Sequence, residues 1–169
     1  VLHKKDVTIP QAADYVATLK KAFVEVDPQV REEKIIAGVK AAAETIGGEA
    51  AMPADLLAEV VNLVEYPTAV VGAIEAEFLE LPTEVITTVM VTHQRYFAVR
   101  DRQDRTKLLP KFITISNGDP EKSEIIAAGN GRVIRARLAD GQFFYRADCD
   151  EHLETYLPQL EAVTFQEEL

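Results

Sequence analysis

Apolar residues recur at helical spacing through the first third of the chain, then give way to short β-branched runs after residue 65. Ala12, Val16, Leu19 and Phe23 fall at i, i+4, i+7 and i+11, one face of a helix entered at Pro10. Val7-Thr8-Ile9 ahead of it reads as a short strand or extended entry. Asp27-Pro28 joins a capping carboxylate to a residue whose missing N–H costs nothing in a first turn. It predicts a second helix carrying Ile35, Val39, Ala42 and Ile46 and closed by Gly47-Gly48. A third begins near Pro53, with Leu56, Val60 and Leu63 on one side and Leu57, Val61 and Val64 beside them.

Tyr66 to Gly72 is short, β-branched and proline-led, the pattern of a strand with Pro67 at its start or on an edge. Phe78, Leu79 and Leu81 fit a helical turn ended by Pro82, which opens a helix to about Gln94 with Ile86, Val89 or Met90, and His93 inward. Tyr96–Val99 and Phe112–Ile115 read as a hairpin. Their connection, Asp101 to Leu109, carries five charged residues and nothing apolar before Leu108, so it is a solvated loop. Asn117-Gly118-Asp119-Pro120 is a turn. Residues 121–128 and 130–145 read as two helices parted by Gly129, the second with Val133, Ala136, Asp140 and Phe144 on one face and Arg132 and Arg135 away from it. A last helix covers about 151–160. The fold class is α+β: a helical N-terminal third (1–64) packed with a small mixed or antiparallel sheet and further helices (65–169).

At 169 residues the chain suits one domain, which at this size buries roughly 70% of the surface its unfolded chain exposes. No apolar run approaches the ~20 residues of a membrane span, and no signal-peptide pattern opens it. The valine at position 1 and the uncapped end at Leu169 read as a piece cut from a longer chain. Cys149, the single cysteine, has no disulfide mate within the chain, which fits a reducing, cytoplasmic setting, and a packing role outweighs a nucleophilic one. His3, His93 and His152 are scattered, and no Cys or His pair has ligand spacing, so no metal site is expected.

Charge is uneven. Residues 1–92 hold 7 basic and 15 acidic groups, 93–146 hold 11 and 6, and 147–169 hold 7 acidic groups and no basic one, within a net −10. A basic middle between acidic flanks can draw a phosphate backbone locally; it can equally pair with those flanks. Within it, Arg132, Arg135 and Arg137 stand beside Phe143-Phe144-Tyr145. These arginines can clamp a nucleic-acid backbone through charge-assisted bonds, or form buried bridges to Glu65, Asp140 or Asp148. Arg95 is a further phosphate candidate. His93 and Asn117 are candidates for a pocket, His93 as acid, base or phosphate donor or simply as a hydrogen-bonded boundary residue.

Several consecutive blocks resemble the beta subunit of bacterial glycyl-tRNA synthetase. They are Leu63-Val64-Glu65-Tyr66-Pro67-Thr68, Phe78-Leu79-Glu80-Leu81-Pro82, His93-Gln94-Arg95-Tyr96-Phe97, Leu108-Leu109-Pro110-Lys111-Phe112-Ile113 with Ser116-Asn117, and Gly129-Asn130 with Arg132 to Leu138 running to Phe143-Phe144-Tyr145. The closing Val163-Thr164-Phe165-Gln166 is also similar. Gly131 and Gly141-Gln142 depart from the family's usual residues, and the loop around Arg102-Gln103-Asp104-Arg105 looks expanded.

The resemblance implies an internal part of a cytoplasmic α2β2 ligase that joins glycine to its tRNA with ATP. It implies glycyl-adenylate chemistry in the alpha subunit and tRNA binding in the beta subunit. No cofactor is expected in this part. Its fold is similar to the editing-type module of the phenylalanyl-tRNA synthetase beta subunit. Two rival roles remain beside a non-catalytic, tRNA-supporting one: hydrolysis of mischarged tRNA, and pure subunit contact. Editing serves sites that a smaller competitor can enter, since one methylene discriminates by only ~1–3 kcal/mol, and glycine has no smaller competitor.

Overall fold

The computed structural model describes residues 2, 3 and 5–163. In chain order the elements are α1 (Tyr15–Lys21), α2 (Pro28–Thr45), β1 (Gly48–Ala50), α3 (Ala54–Leu63), β2 (Thr68–Ala73), α4 (Thr83–Thr88), β3 (Phe97–Asp101), β4 (Leu108–Ser116) and α5 (Ser123–Asp150). Short 3-10 segments lie at Ala12–Asp14, Ala76–Glu80 and Pro120–Lys122, and a longer one at Leu153–Ala162. One π-helical turn, Val89–His93, extends α4.

The four strands form one antiparallel sheet in the order β1-β3-β4-β2. Side chains alternate across it, as the pleat requires. Phe97 and Val99 of β3 and Ile113 of β4 face α2 and α3, whose Ile35, Val39, Leu56, Val60 and Val61 complete one buried layer. Tyr96, Ala98, Leu108 and Phe112 face the other way, onto Phe78, Ile86, Met90, Ile134 and Leu138. The sheet is therefore covered on both faces, by α2 and α3 on one and by α4, its π turn and α5 on the other.

The α+β reading and the antiparallel β3–β4 hairpin hold. Asp27 caps α2 as its sequence promised, its Oδ1 accepting from the Gln29 N–H at 2.9 Å. Four expectations are narrowed or corrected. Of the two readings of Val7–Ile9, a strand or an extended entry, the strand does not form. Gly47, at φ 70°, does end α2, but Gly48 starts an edge strand paired to Asp101 rather than closing a helix. The helix expected at about 151–160 forms at Leu153–Ala162, as a 3-10 helix with no buried residue.

The fourth correction concerns α5. It runs unbroken through Gly129, a residue that costs a helix only ~1 kcal/mol, among alanines, isoleucines and arginines that favour it. Its inner face is Asn130, Gly131, Ile134, Leu138 and Gly141, not Val133, Ala136, Asp140 and Phe144, which are all exposed. Both stripes have helical spacing. The small residues decide between them: a Cβ at Gly131 would lie 3.5 Å from the Ala73 carbonyl of β2, so the helix lies close upon the sheet on that side. The similarity of Thr164-Phe165-Gln166 to the family lies outside the described residues.

Candidate nucleic-acid interface

The site is built on α5 because that helix is fixed to the sheet at two levels. Ile134 and Leu138 are wholly buried against the β3–β4 face. One turn earlier, the Tyr96 hydroxyl donates to Asn130 Oδ1 at 2.6 Å, and Asn130 Nδ2 returns a bond to the Ile126 carbonyl. Burial pushes the Tyr96 phenol above its ordinary pKa, which keeps it a neutral donor. Tyr96 in turn stacks on Phe112, ring centroids 4.4 Å apart and nearly parallel. A rigid platform thus stands behind the arginines of the helix.

Arg132, Arg135 and Arg137 all reach solvent. At about 100° per residue, Arg132 and Arg135 lie about 60° apart on the outer surface, while Arg137 flanks them about 140° from Arg132. None pairs with Glu65, Asp140 or Asp148 among the described residues. Arg135 instead pairs at the surface with Glu75, just ahead of the Ala76–Glu80 turn, and its hydrogen bond holds the Glu75 carboxyl below its ordinary pKa. Arg132 and Arg137 make no ion pair among the described residues. From Ile125 to Leu138 the helix carries three arginines and no acid.

Arg95 is placed differently. It takes a left-handed backbone, φ 56°, that closes the π turn through the bonds Arg95 N to Val91 O and Tyr96 N to Met90 O. That conformation costs a non-glycine residue ~1–2 kcal/mol. Its guanidinium is already engaged: Nε donates to Glu59 Oε1 at 2.7 Å, and Nη1 to the Thr92 carbonyl at 3.2 Å. A phosphate would have to compete with these partners. His93, the last residue of the π turn, is exposed.

Asn117 sits elsewhere, as a clip between β4 and the start of β2. Its Oδ1 accepts from the Glu65 and Tyr66 N–H groups at 3.1 and 2.8 Å. It borders a cleft with Tyr15, Glu25 and Arg31, a set that does not include His93. Glu25 there is buried, bonded by Lys34 Nζ at 2.5 Å, and Arg31 Nη1 donates to the carbonyls of Glu25 and Val26. These polar groups satisfy one another, which is how a structural joint is built.

A second basic group gathers away from the residues that the sequence pattern singles out. Lys40, Arg102 and Arg105 line a cleft of about 390 Å³ between the end of α2 and the β3–β4 loop. Arg105 pairs with Glu49 at 2.7 Å, and Arg100 Nη1 donates to the Arg105 carbonyl at 3.2 Å. Asp101 and Asp104 shape the loop by accepting its own N–H groups. The only signal for this cluster was the excess of basic residues from 93 to 146. Lys40 reaches it from a distant part of the chain, which no spacing rule reveals.

The described residues bring no three His, Cys, Asp or Glu side chains together as a metal-sized cluster. No helix among them is long and apolar enough to cross a membrane.

Comparison with known proteins agrees with this architecture of motif blocks. The family model described as "Glycyl-tRNA synthetase beta subunit" matches residues 1–169. The glycine–tRNA ligase beta subunit of Picosynechococcus sp. is 90% identical over all 169 residues, which cover 24% of that protein. That of Synechocystis sp. is 62% identical over the whole chain and 23% of its own length. That of Natranaerobius thermophilus is 43% identical over 168 residues, again 24% of its length. The chain therefore spans about a quarter of the length of the curated relatives it matches. With every residue inside the matched region, the chain belongs to the glycyl-tRNA synthetase beta subunit family.

Proposed function

We propose that this region is a non-catalytic part of a glycine–tRNA ligase, one that contacts the tRNA backbone and braces the enzyme. The whole enzyme joins glycine to its tRNA with ATP in the cytoplasm, as an α2β2 assembly with the alpha subunit, and this part needs no cofactor of its own. The observation that carries the reading is the exposed trio Arg132, Arg135 and Arg137, on a stretch of α5 that holds no acid from Ile125 to Leu138 and is fixed by two buried anchors. Guanidinium groups so placed suit phosphate oxygens, giving position and salt-dependent affinity rather than base reading.

The test is steady-state aminoacylation by the assembled enzyme. Arg132→Ala with Arg137→Ala should raise KM for tRNA roughly tenfold, about 0.7 kcal/mol per lost contact. Glycine-dependent ATP–pyrophosphate exchange, which needs no tRNA, should not change. An unchanged KM sinks the backbone-contact reading. Hydrolysis of alanyl-tRNA that is lost on His93→Ala would establish the editing role in its place.

A further inference from the structure

α5 changes character along its length. Up to Gly141 it packs on the sheet and α4, and a Cβ at Gly141 would touch Val85 of α4 at 3.7 Å. Beyond that point nothing is buried, and residues 143–150 are all exposed. The last nine helical residues, 142–150, span about 13 Å. They carry Phe143 and Phe144, 68% and 64% exposed and packed edge to face on each other. A helical end of this length has little stability of its own in water.

The segment that follows compounds the problem. Leu153–Ala162 is a ten-residue 3-10 helix with no buried residue, whereas such helices seldom exceed three or four residues unsupported. Leu157 and Leu160 are spaced by three, so they share one edge of it, and Leu153 is 87% exposed. Two consecutive elements therefore present their apolar side chains outward.

Charge narrows what can cover them. From Gln142 to Val163 the chain has five acids (Asp148, Asp150, Glu151, Glu154 and Glu161) against the single Arg146. This end repels phosphate, in contrast to the arginine-bearing middle of the same helix. It equally repels a second copy of itself, because a two-fold contact would set acid against acid. Relatives at 43 to 90% identity are about four times as long as this chain, so other folded parts of the same polypeptide lie tethered nearby at high effective concentration.

We infer that the Phe143–Val163 end of the α5 arm is an intramolecular docking surface, covered by a part of the same subunit that is apolar at its centre and basic at its rim. This rests on family membership and on the exposed apolar face, and not on the tRNA reading, so either can fail alone.

The experiment is hydrogen–deuterium exchange on the full-length beta subunit, alone and diluted. The amides of 143–150 should be protected there, and the pair Phe143→Asp and Phe144→Asp should speed their exchange at least tenfold while the β3 and β4 amides keep their rates. An arm already free in solution would not respond to that pair, so an absent response overturns the inference. It is also overturned if 143–150 exchange as fast as an unfolded peptide, or gain protection only with the alpha subunit, only with tRNA, or only as rising concentration drives self-association.

Discussion

Adding a single methyl group at Gly72 should cost this fold more than most core truncations of similar size. Gly72 lies on β2 directly opposite Phe112 of β4, and the Phe112 ring covers it. A Cβ at Gly72 would come 2.1 Å from Phe112 Cζ and 2.6 Å from both Cε atoms, about 1.3 Å short of the 3.4 Å where ordinary contact begins. The ring cannot retreat freely. Phe112 is fully buried, and Tyr96 stacks on it at 4.4 Å, itself held by its bond to Asn130. Overpacking of this kind costs about 1–3 kcal/mol, and the alanine regains at most about 1 kcal/mol by restricting the unfolded chain. With the ring locked in place the cost falls in the upper half of that range, leaving a net loss of about 1–2 kcal/mol, or a fall in Tm of about 2–8 °C for a chain of this length.

Urea unfolding of Gly72→Ala should therefore show a lower midpoint with an unchanged slope. The steric cause has its own signature: Phe112→Leu should cost less in the Gly72→Ala background than in the parent, with a coupling of about 1 kcal/mol or more. A Gly72→Ala midpoint equal to or above the parent's, or additive effects in the double variant, would refute the argument.

Other expectations follow from the same contacts. Tyr96→Phe leaves Asn130 Oδ1 without its partner and should destabilise the chain by about 1–2 kcal/mol in the same urea assay. Ile134→Ala removes a wholly buried anchor of α5 and should cost about 2–5 kcal/mol, with faster amide exchange from Asn130 to Leu138 than in the parent. Glu75→Gln tests the surface pair with Arg135. The Glu75 carboxyl titrates lower in the folded chain, so the pair's contribution is present above pH 4.5, fades as pH falls through that ordinary value, and is gone below the folded one. Because both groups reach solvent, the parent should exceed the variant by no more than about 1 kcal/mol at neutral pH and by nothing in strong acid.

What the sequence disclosed depended on how local each signal was. The Asp27-Pro28 cap, the helical stripe of Ile35 and Val39, and the β3–β4 hairpin rest on neighbours within a few residues, and all appear where the pattern placed them. β1 has no local signature because its three residues, the first of them a glycine, carry no alternation; it exists through pairing with β3, about fifty residues away. The inner face of α5 was misread because an apolar stripe at helical period looks the same whether it meets a core or a partner. Val133 and Phe144 form such a stripe and are exposed, while the buried side is marked by Gly131 and Gly141, which hydropathy does not score. For the site, the pattern singled out the three helical arginines but left open whether they face solvent or bridge to interior acids; all three are exposed. It did not disclose that Glu75 binds Arg135, that Glu59 binds Arg95, or that Lys40 joins the hairpin arginines, since each is a contact across distant segments.

If the unpaired guanidinium groups on the middle of α5 meet an RNA backbone, as proposed, they must show in the salt dependence of tRNA binding to the full-length beta subunit. Each lost phosphate contact lowers the slope of log K against log salt by about one. Arg132→Ala with Arg137→Ala should therefore flatten that slope by about two, and Arg135→Ala, already neutralised by Glu75, by less. A slope that matches the parent's in the double variant would contradict the account.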